Sequence, residues 1–155
     1  METFQFLLIL LVTYFGIIIG IVISRFTREE INPGKKYFLS AKSLMTTFMF
    51  SYFFYQLNIN IFVILVTSLI FFIIVHSLNR KYKSVYTNLI EFSLMSIMFN
   101  ETLKFGYVVS ILSFFYLIVF ASLEYDIKLN FVNNLKISFV KTFYFPIFLI
   151  ILYFI

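Results

Sequence analysis

Cysteine and tryptophan are absent from this chain, and glycine, proline and histidine are scarce: four, two and one in 155 residues. Without thiols there is no disulfide framework, no thiolate nucleophile and no soft metal site, and the redox compartment is left open. Carboxylates are few as well, seven in all, which leaves little raw material for acid–base or metal chemistry. Also missing are a Ser/His/Asp set, HExxH, GxSxG, a phosphate-cradling glycine loop and a pair of intramembrane aspartates. Catalysis is not expected, and no cofactor or metal is implied.

What is present is apolar. The chain is 62% hydrophobic and 12% charged, with a mean hydropathy of +1.00. A soluble domain carries about 25% charged residues, so this one has too little charge to cover its own surface in water. No Ser/Pro-rich linker or low-complexity tract divides it, and residues 1–155 form one integral membrane domain in this reading. The class expected is an all-α, polytopic transmembrane helical bundle. At about 20 residues per crossing, spans fall at 4–24, 39–56, 59–78, 84–100, 103–123 and 137–155, the second and fourth being short. A single helix from Ser43 to Leu78 would be about 54 Å long, beyond a tilted span. The polar run Gln56-Leu57-Asn58-Ile59-Asn60 is therefore a turn. The amino terminus, Met1-Glu2-Thr3, has no basic region ahead of its apolar run, and no small-residue cleavage pattern follows at Ser24-Arg25-Phe26, so the first span is expected to stay attached.

Positive charge gives the orientation. The basic residues cluster as Arg25, Arg28, Lys35, Lys36 and Lys42, then Arg80, Lys81 and Lys83, then Lys128, Lys136 and Lys141, with only Lys104 elsewhere. Six crossings put all three groups on the inner side and both termini on the outer side, whereas five would split the groups. The net charge of +5 then reports topology, with anionic lipid headgroups at the inner face as contacts and no nucleic-acid partner. Tyrosine supplies the aromatic belts: Tyr37, Tyr82, Tyr86, Tyr125 and Tyr144 near the inner interface, Tyr52, Tyr55, Tyr107 and Tyr153 near the outer one. Only Tyr14 and Tyr116 are deep. The segment Arg25–Tyr37 reads as a charged turn around Pro33-Gly34 that fixes orientation, or less simply as a docking site. In the segment from Glu124 to Lys136, Ile127, Phe131 and Leu135 recur every four residues, which suits a short interfacial helix or an extension of either neighbour.

Glu91 is the one ionisable residue placed clearly inside hydrocarbon, where a carboxylate must be neutralised, paired or hydrated. Its candidate partners are Lys42, Lys141 and His76, at the same expected depth. A structural polar contact, an interfacial position and a proton or ion role are the three readings. His76 has no second metal ligand at i+3 or i+4 and suits an interfacial ring. Gly16-Ile17-Ile18-Ile19-Gly20 is a GxxxG, which removes side-chain bulk from one helix face and lets another backbone approach. Packing within the chain is the first reading and self-association the second. Pro146 marks a kink in the last span. The sequon Asn100-Glu101-Thr102 lies too close to the expected bilayer surface for glycosylation and reads as chance, with Glu101 and Lys104 an exposed pair.

From Gly16 through Ile31-Asn32-Pro33-Gly34-Lys35-Lys36-Tyr37-Phe38 the chain resembles the opening of a set of small uncharacterised archaeal polytopic membrane proteins, in which acidic residues and a PGKKY-type turn follow the first helix. That resemblance implies a prokaryotic cytoplasmic membrane and no particular chemistry. The function expected is a non-catalytic membrane component that associates with other membrane proteins or with itself. The alternative is a small transporter or channel using Glu91.

Overall fold

The computed structural model of the protein describes residues 3–81, 88, 91–93, 95–97, 106–147 and 151, and all regular structure among them is helical. The elements are α1 (Thr3–Phe26), α2 (Arg28–Gln56), α3 (Ile61–Lys81), α5 (Gly106–Glu124) and α6 (Phe131–Thr142). Between them, the helical residues 88, 91–93 and 95–97 make up α4, and a further helical stretch covers 144–147. Most of the expected span 84–100, the start of the fifth, the end of the sixth, Lys83, Lys104 and the sequon lie outside the described residues. Among the described residues one helix, Ile61–Arg80, is long and apolar enough to cross a membrane, and shorter apolar helices cover Leu10–Phe26 and Val108–Glu124.

Two segments differ from the sequence reading. Arg25–Tyr37 is not an extended charged turn, because the only residue between α1 and α2 is Thr27. Its hydroxyl donates to the Ile23 carbonyl at 3.0 Å, its carbonyl accepts from Glu30, and α2 runs on through Pro33 and Gly34. Glu29 and Glu30 occupy the first turn of α2, where carboxylates complement the positive end of the helix dipole. Pro33 sits early in the helix on an exposed face, so the Glu29 carbonyl that loses its i+4 donor is left to solvent. The second difference is the start of the last element. α6 begins at Phe131, six residues before 137, because Asn130 caps it by accepting from the Asn133 amide at 2.8 Å. The loop before it is fastened by the buried Asn134, which accepts from the Asp126 amide and donates to the Asp126 and Leu129 carbonyls.

The chain turns between α2 and α3 at Leu57–Asn60. Asn58 adopts φ 56°, a left-handed conformation that asparagine tolerates, and the Asn60 side chain accepts the Phe62 amide at 2.9 Å to start α3. The two helices then pack antiparallel, with Phe50 stacked on Phe71 at 4.1 Å between centroids and the Ser51 and Ser68 hydroxyls 2.6 Å apart. One face of α3 leaves Phe62, Leu65, Leu69 and Ile73 exposed in a continuous apolar row.

The backbones of α1 and α5 come close together at two glycines. Gly16 lies against the carbonyl of Phe114, where a Cβ would come within 2.5 Å of the oxygen, and Gly20 lies against the carbonyl of Ile118 and the Ala121 methyl. The Ser122 hydroxyl donates to both Ile118 and Gly20 carbonyls, at 2.9 and 3.2 Å. The two glycines thus face a neighbour within the same chain. The core between these helices and α4 is aromatic, with Phe92, Tyr116, Phe120 and Phe145 all almost fully buried.

Pro146 acts together with Tyr14. A proline lacks the N–H that would bond the carbonyl four residues earlier, here Thr142, which is fully buried. The helix breaks at Phe143, and the Tyr14 hydroxyl donates to the Thr142 carbonyl at 2.9 Å. One of the two deep tyrosines therefore fills the hydrogen bond that the proline removes.

Two outcomes follow from this packing. Gly16→Ile combined with Gly20→Ile is expected to cut the yield of folded protein, measured as monodisperse material in mild detergent; a change confined to oligomer size would contradict packing against α5. Tyr14→Phe is expected to lower thermal stability in detergent by about 1–3 kcal/mol, the cost of a buried acceptor left unpaired. Adding Pro146→Ala, which supplies a backbone N–H, should recover part of that loss, and an additive double variant would show that the two residues are not linked.

Candidate functional site

Lys42, in the middle of α2, and Glu91, in α4, are each about 4% exposed and meet at 2.5 Å between Nζ and Oε2. An isolated buried charge costs several kcal/mol by desolvation, and the surroundings of this pair are arranged to meet that cost. Asn79, near the end of α3, donates to Glu91 Oε1 at 2.8 Å and to the Ser43 hydroxyl at 3.2 Å. Tyr116 of α5 donates to Glu91 Oε2 at 2.6 Å. Lys42 donates in addition to Asn88 Oδ1 at 2.8 Å and to Asn79 Oδ1 at 3.3 Å. Both carboxylate oxygens and the ammonium are thereby engaged, by residues from four helices.

The local sequence explains the convergence. Asn88 and Glu91 are three apart on α4 and so share a face. Lys42 and Ser43 begin a run of hydroxyl residues on α2, in which Ser43, Thr46, Thr47 and Ser51 each donate to the carbonyl four residues earlier. These side chains satisfy themselves within the helix and leave the Ser43 oxygen able to accept from Asn79. An aromatic collar closes the other side: Lys42 Nζ lies 5.9 and 5.8 Å from the Tyr116 and Phe120 ring centres, and Phe92 packs edge-on against both rings. Ammonium over ring faces at that range is a cation–π arrangement.

Above the pair a cleft of about 810 Å³ opens to the surface, with Lys42 in its floor. Its walls include Lys35, Lys36 and Ser40 from α2, His76, Asn79 and Arg80 from α3, Asn88 from α4, Glu124 from α5 and Lys141 from α6. Members of all three basic groups of the sequence therefore lie at one end of the bundle, opposite the Leu57–Asn60 turn.

Of the residues singled out beside Glu91, the structure joins Lys42 to it directly. Lys141 instead pairs with Glu124, linking α6 to the end of α5. His76 stands in the cleft wall, its ring stacked on Phe72 and its Nδ1 buried without a hydrogen-bond partner among the described residues. Sequence reasoning did not pick out Asn79, Asn88 or Tyr116 as partners. Only Tyr116 left a signal, being one of the two tyrosines remote from either belt. Among the described residues no three histidine, aspartate or glutamate side chains come together as a metal site. The chain matches no protein-family model, and no characterised protein and no solved structure proves similar to it.

Removing one half of the ion pair leaves the other uncompensated, so Glu91→Leu and Lys42→Met are each expected to destabilise the protein by about 3–5 kcal/mol. The Lys42→Met, Glu91→Leu double variant should melt closer to wild type than either single change. Double-variant loss equal to the sum of the singles would show that the two groups do not interact.

Proposed function

We propose that the protein is a multi-pass component of a prokaryotic cytoplasmic membrane, non-catalytic, with its basic end on the cytoplasmic side. The observation that carries this reading is the closure of the polar centre. Glu91 accepts on both oxygens and Lys42 is held by a carboxylate and two amide oxygens, so the buried charges hold helices together and present no open valence to a substrate. Convergence of the three basic groups on one cleft supports the orientation, since a bilayer sorts lysine and arginine to the cytoplasmic side. Along α2, Lys36 and Gln56 are about 30 Å apart at 1.5 Å per residue, the thickness of a hydrocarbon core. The same rise carries Ile61–Arg80 back across the same distance. The exposed apolar row on α3 suits lipid, or an apolar helix of another membrane protein or of a second copy. A transporter is the second reading, favoured by one feature: Lys42 lies in the cleft floor, so the pair is reached from one side.

The absence of native cysteine makes the topology directly testable. Single cysteines replacing Lys35, Lys128 and Asn58 are expected to label from membrane-impermeant reagent on opposite sides of intact cells, the first two cytoplasmic and the third external; labelling of Lys35→Cys and Lys128→Cys from different sides overturns the arrangement. For the choice between component and transporter, purified protein in sealed liposomes under an imposed pH gradient and membrane potential is expected to give no proton or ion flux above empty vesicles. Flux abolished by Glu91→Gln would instead establish the transporter.

A further inference from the structure

The cleft holds more positive charge than its own carboxylates neutralise. Five cationic side chains line it, from Lys35, Lys36, Lys42, Arg80 and Lys141. Lys42 is paired with Glu91 and Lys141 with Glu124, while Lys35, Lys36 and Arg80 face no carboxylate among the described residues. Those three are exposed and stand on two different helices, at the rim of a concavity that Lys42, Asn79 and Asn88 also line. An anion entering would meet uncompensated charge at the mouth, while the ammonium below is already engaged by Glu91, Asn79 and Asn88.

The volume, about 810 Å³, lies within the range of small-molecule sites, roughly 300–1,000 Å³, and exceeds what a bare inorganic ion fills. Arginine offers a planar fork of donors to phosphate oxygens, while lysines act as mobile point charges beside it. The combination of one arginine, two lysines without a carboxylate partner among the described residues, and polar walls that include Ser40 and Asn88 suits a phosphate ester of net negative charge that carries further hydroxyl groups.

We propose that this cleft is a binding site for such a phosphate ester, of the glycerophosphate type, presented as the headgroup of an anionic phospholipid or as a soluble ester. Orientation of the cleft toward the bilayer surface rests on the multi-pass reading above, whereas recognition of the phosphate rests on the cleft alone.

The test uses the full-length protein in a neutral detergent, with native mass spectrometry as the readout. Dioleoyl-phosphatidylglycerol is expected to be retained as one molecule per chain, and dioleoyl-phosphatidylcholine, which carries a compensating cation, is expected to be lost. Replacing Lys35, Lys36 and Arg80 together by Gln should weaken retention about tenfold or more. Replacing Lys128 and Lys136, exposed lysines outside the cleft, should leave it unchanged. If the triple variant is not recovered folded, Arg80→Gln alone is expected to lower retention several-fold. Glycerol 1-phosphate that competes with the lipid identifies the soluble ester as a source; no competition at a large excess identifies the lipid. Equal retention in the cleft variants and wild type, or equal loss in the Lys128 and Lys136 control, overturns the site. Because the measurement is made in detergent, its failure is separate from a failure of the cysteine labelling that tests the topology.

Discussion

A lysine and a glutamate with almost no contact with solvent can remain charged only together, and the bundle is organised around keeping them so. Burying either ion alone is prohibitive, while burying both is tolerated when geometry is good and the remaining donors and acceptors are filled. Here the filling groups come from α3, α4 and α5 as well as from α2 itself. In an apolar setting helices slide past one another with little directional preference, since lipid is as apolar as their side chains. A hydrogen-bonded centre supplies the direction: a shift of α3 by one residue would carry Asn79 away from both Ser43 and Glu91. The polar centre therefore sets register, and the aromatic core sets distance.

The same division appears between α1 and its neighbours. Gly16 and Gly20 allow the backbone of α5 to come close, and the Ser122 hydroxyl to the Gly20 carbonyl picks one axial position among those that close packing permits. Where Pro146 takes a donor out of the last helical stretch, Tyr14 of α1 returns one to Thr142. α1 is consequently tied at two levels, to α5 by small residues and to the end of α6 by a hydroxyl.

The sequence carried part of this openly. Charge and hydropathy marked Glu91 as an ion in the wrong solvent and placed Lys42 at a matching depth, and the polar residues 56–60 marked where α2 gives way to α3. It did not reveal Asn79, which adjoins Arg80 and looks like the beginning of a loop, nor Asn88, which lies in a weakly apolar stretch. A neutral amide has no hydropathic cost large enough to stand out, and its role depends on which helix it meets. Element boundaries were misread for a related reason. Pro33 and Gly34 are turn residues by local preference, but early in a helix and on an exposed face the proline loses only a bond that solvent replaces. Asn130 by contrast falls inside the stretch that reads as an interfacial helix or an extension of either neighbour, and its place as the helix start depends on the Asn133 amide three residues on.

That misread boundary decides where the free charge stands. Had 25–37 been an irregular loop, Lys35 and Lys36 would have had no fixed relation to the polar centre. Because α2 is continuous through Pro33, Lys35, Leu39 and Lys42 follow at spacings of four and three and fall on one helix face, and all three line the cleft. The rim cation is held about 10 Å above the buried one by two turns of helix, at the same side of the bundle as Arg80. Neutralising Lys42 with Glu91 then has a second consequence beyond stability. It removes the charge that would otherwise repel Lys35, Lys36 and Arg80 from a common mouth, so a paired interior and a basic entrance are two results of one arrangement.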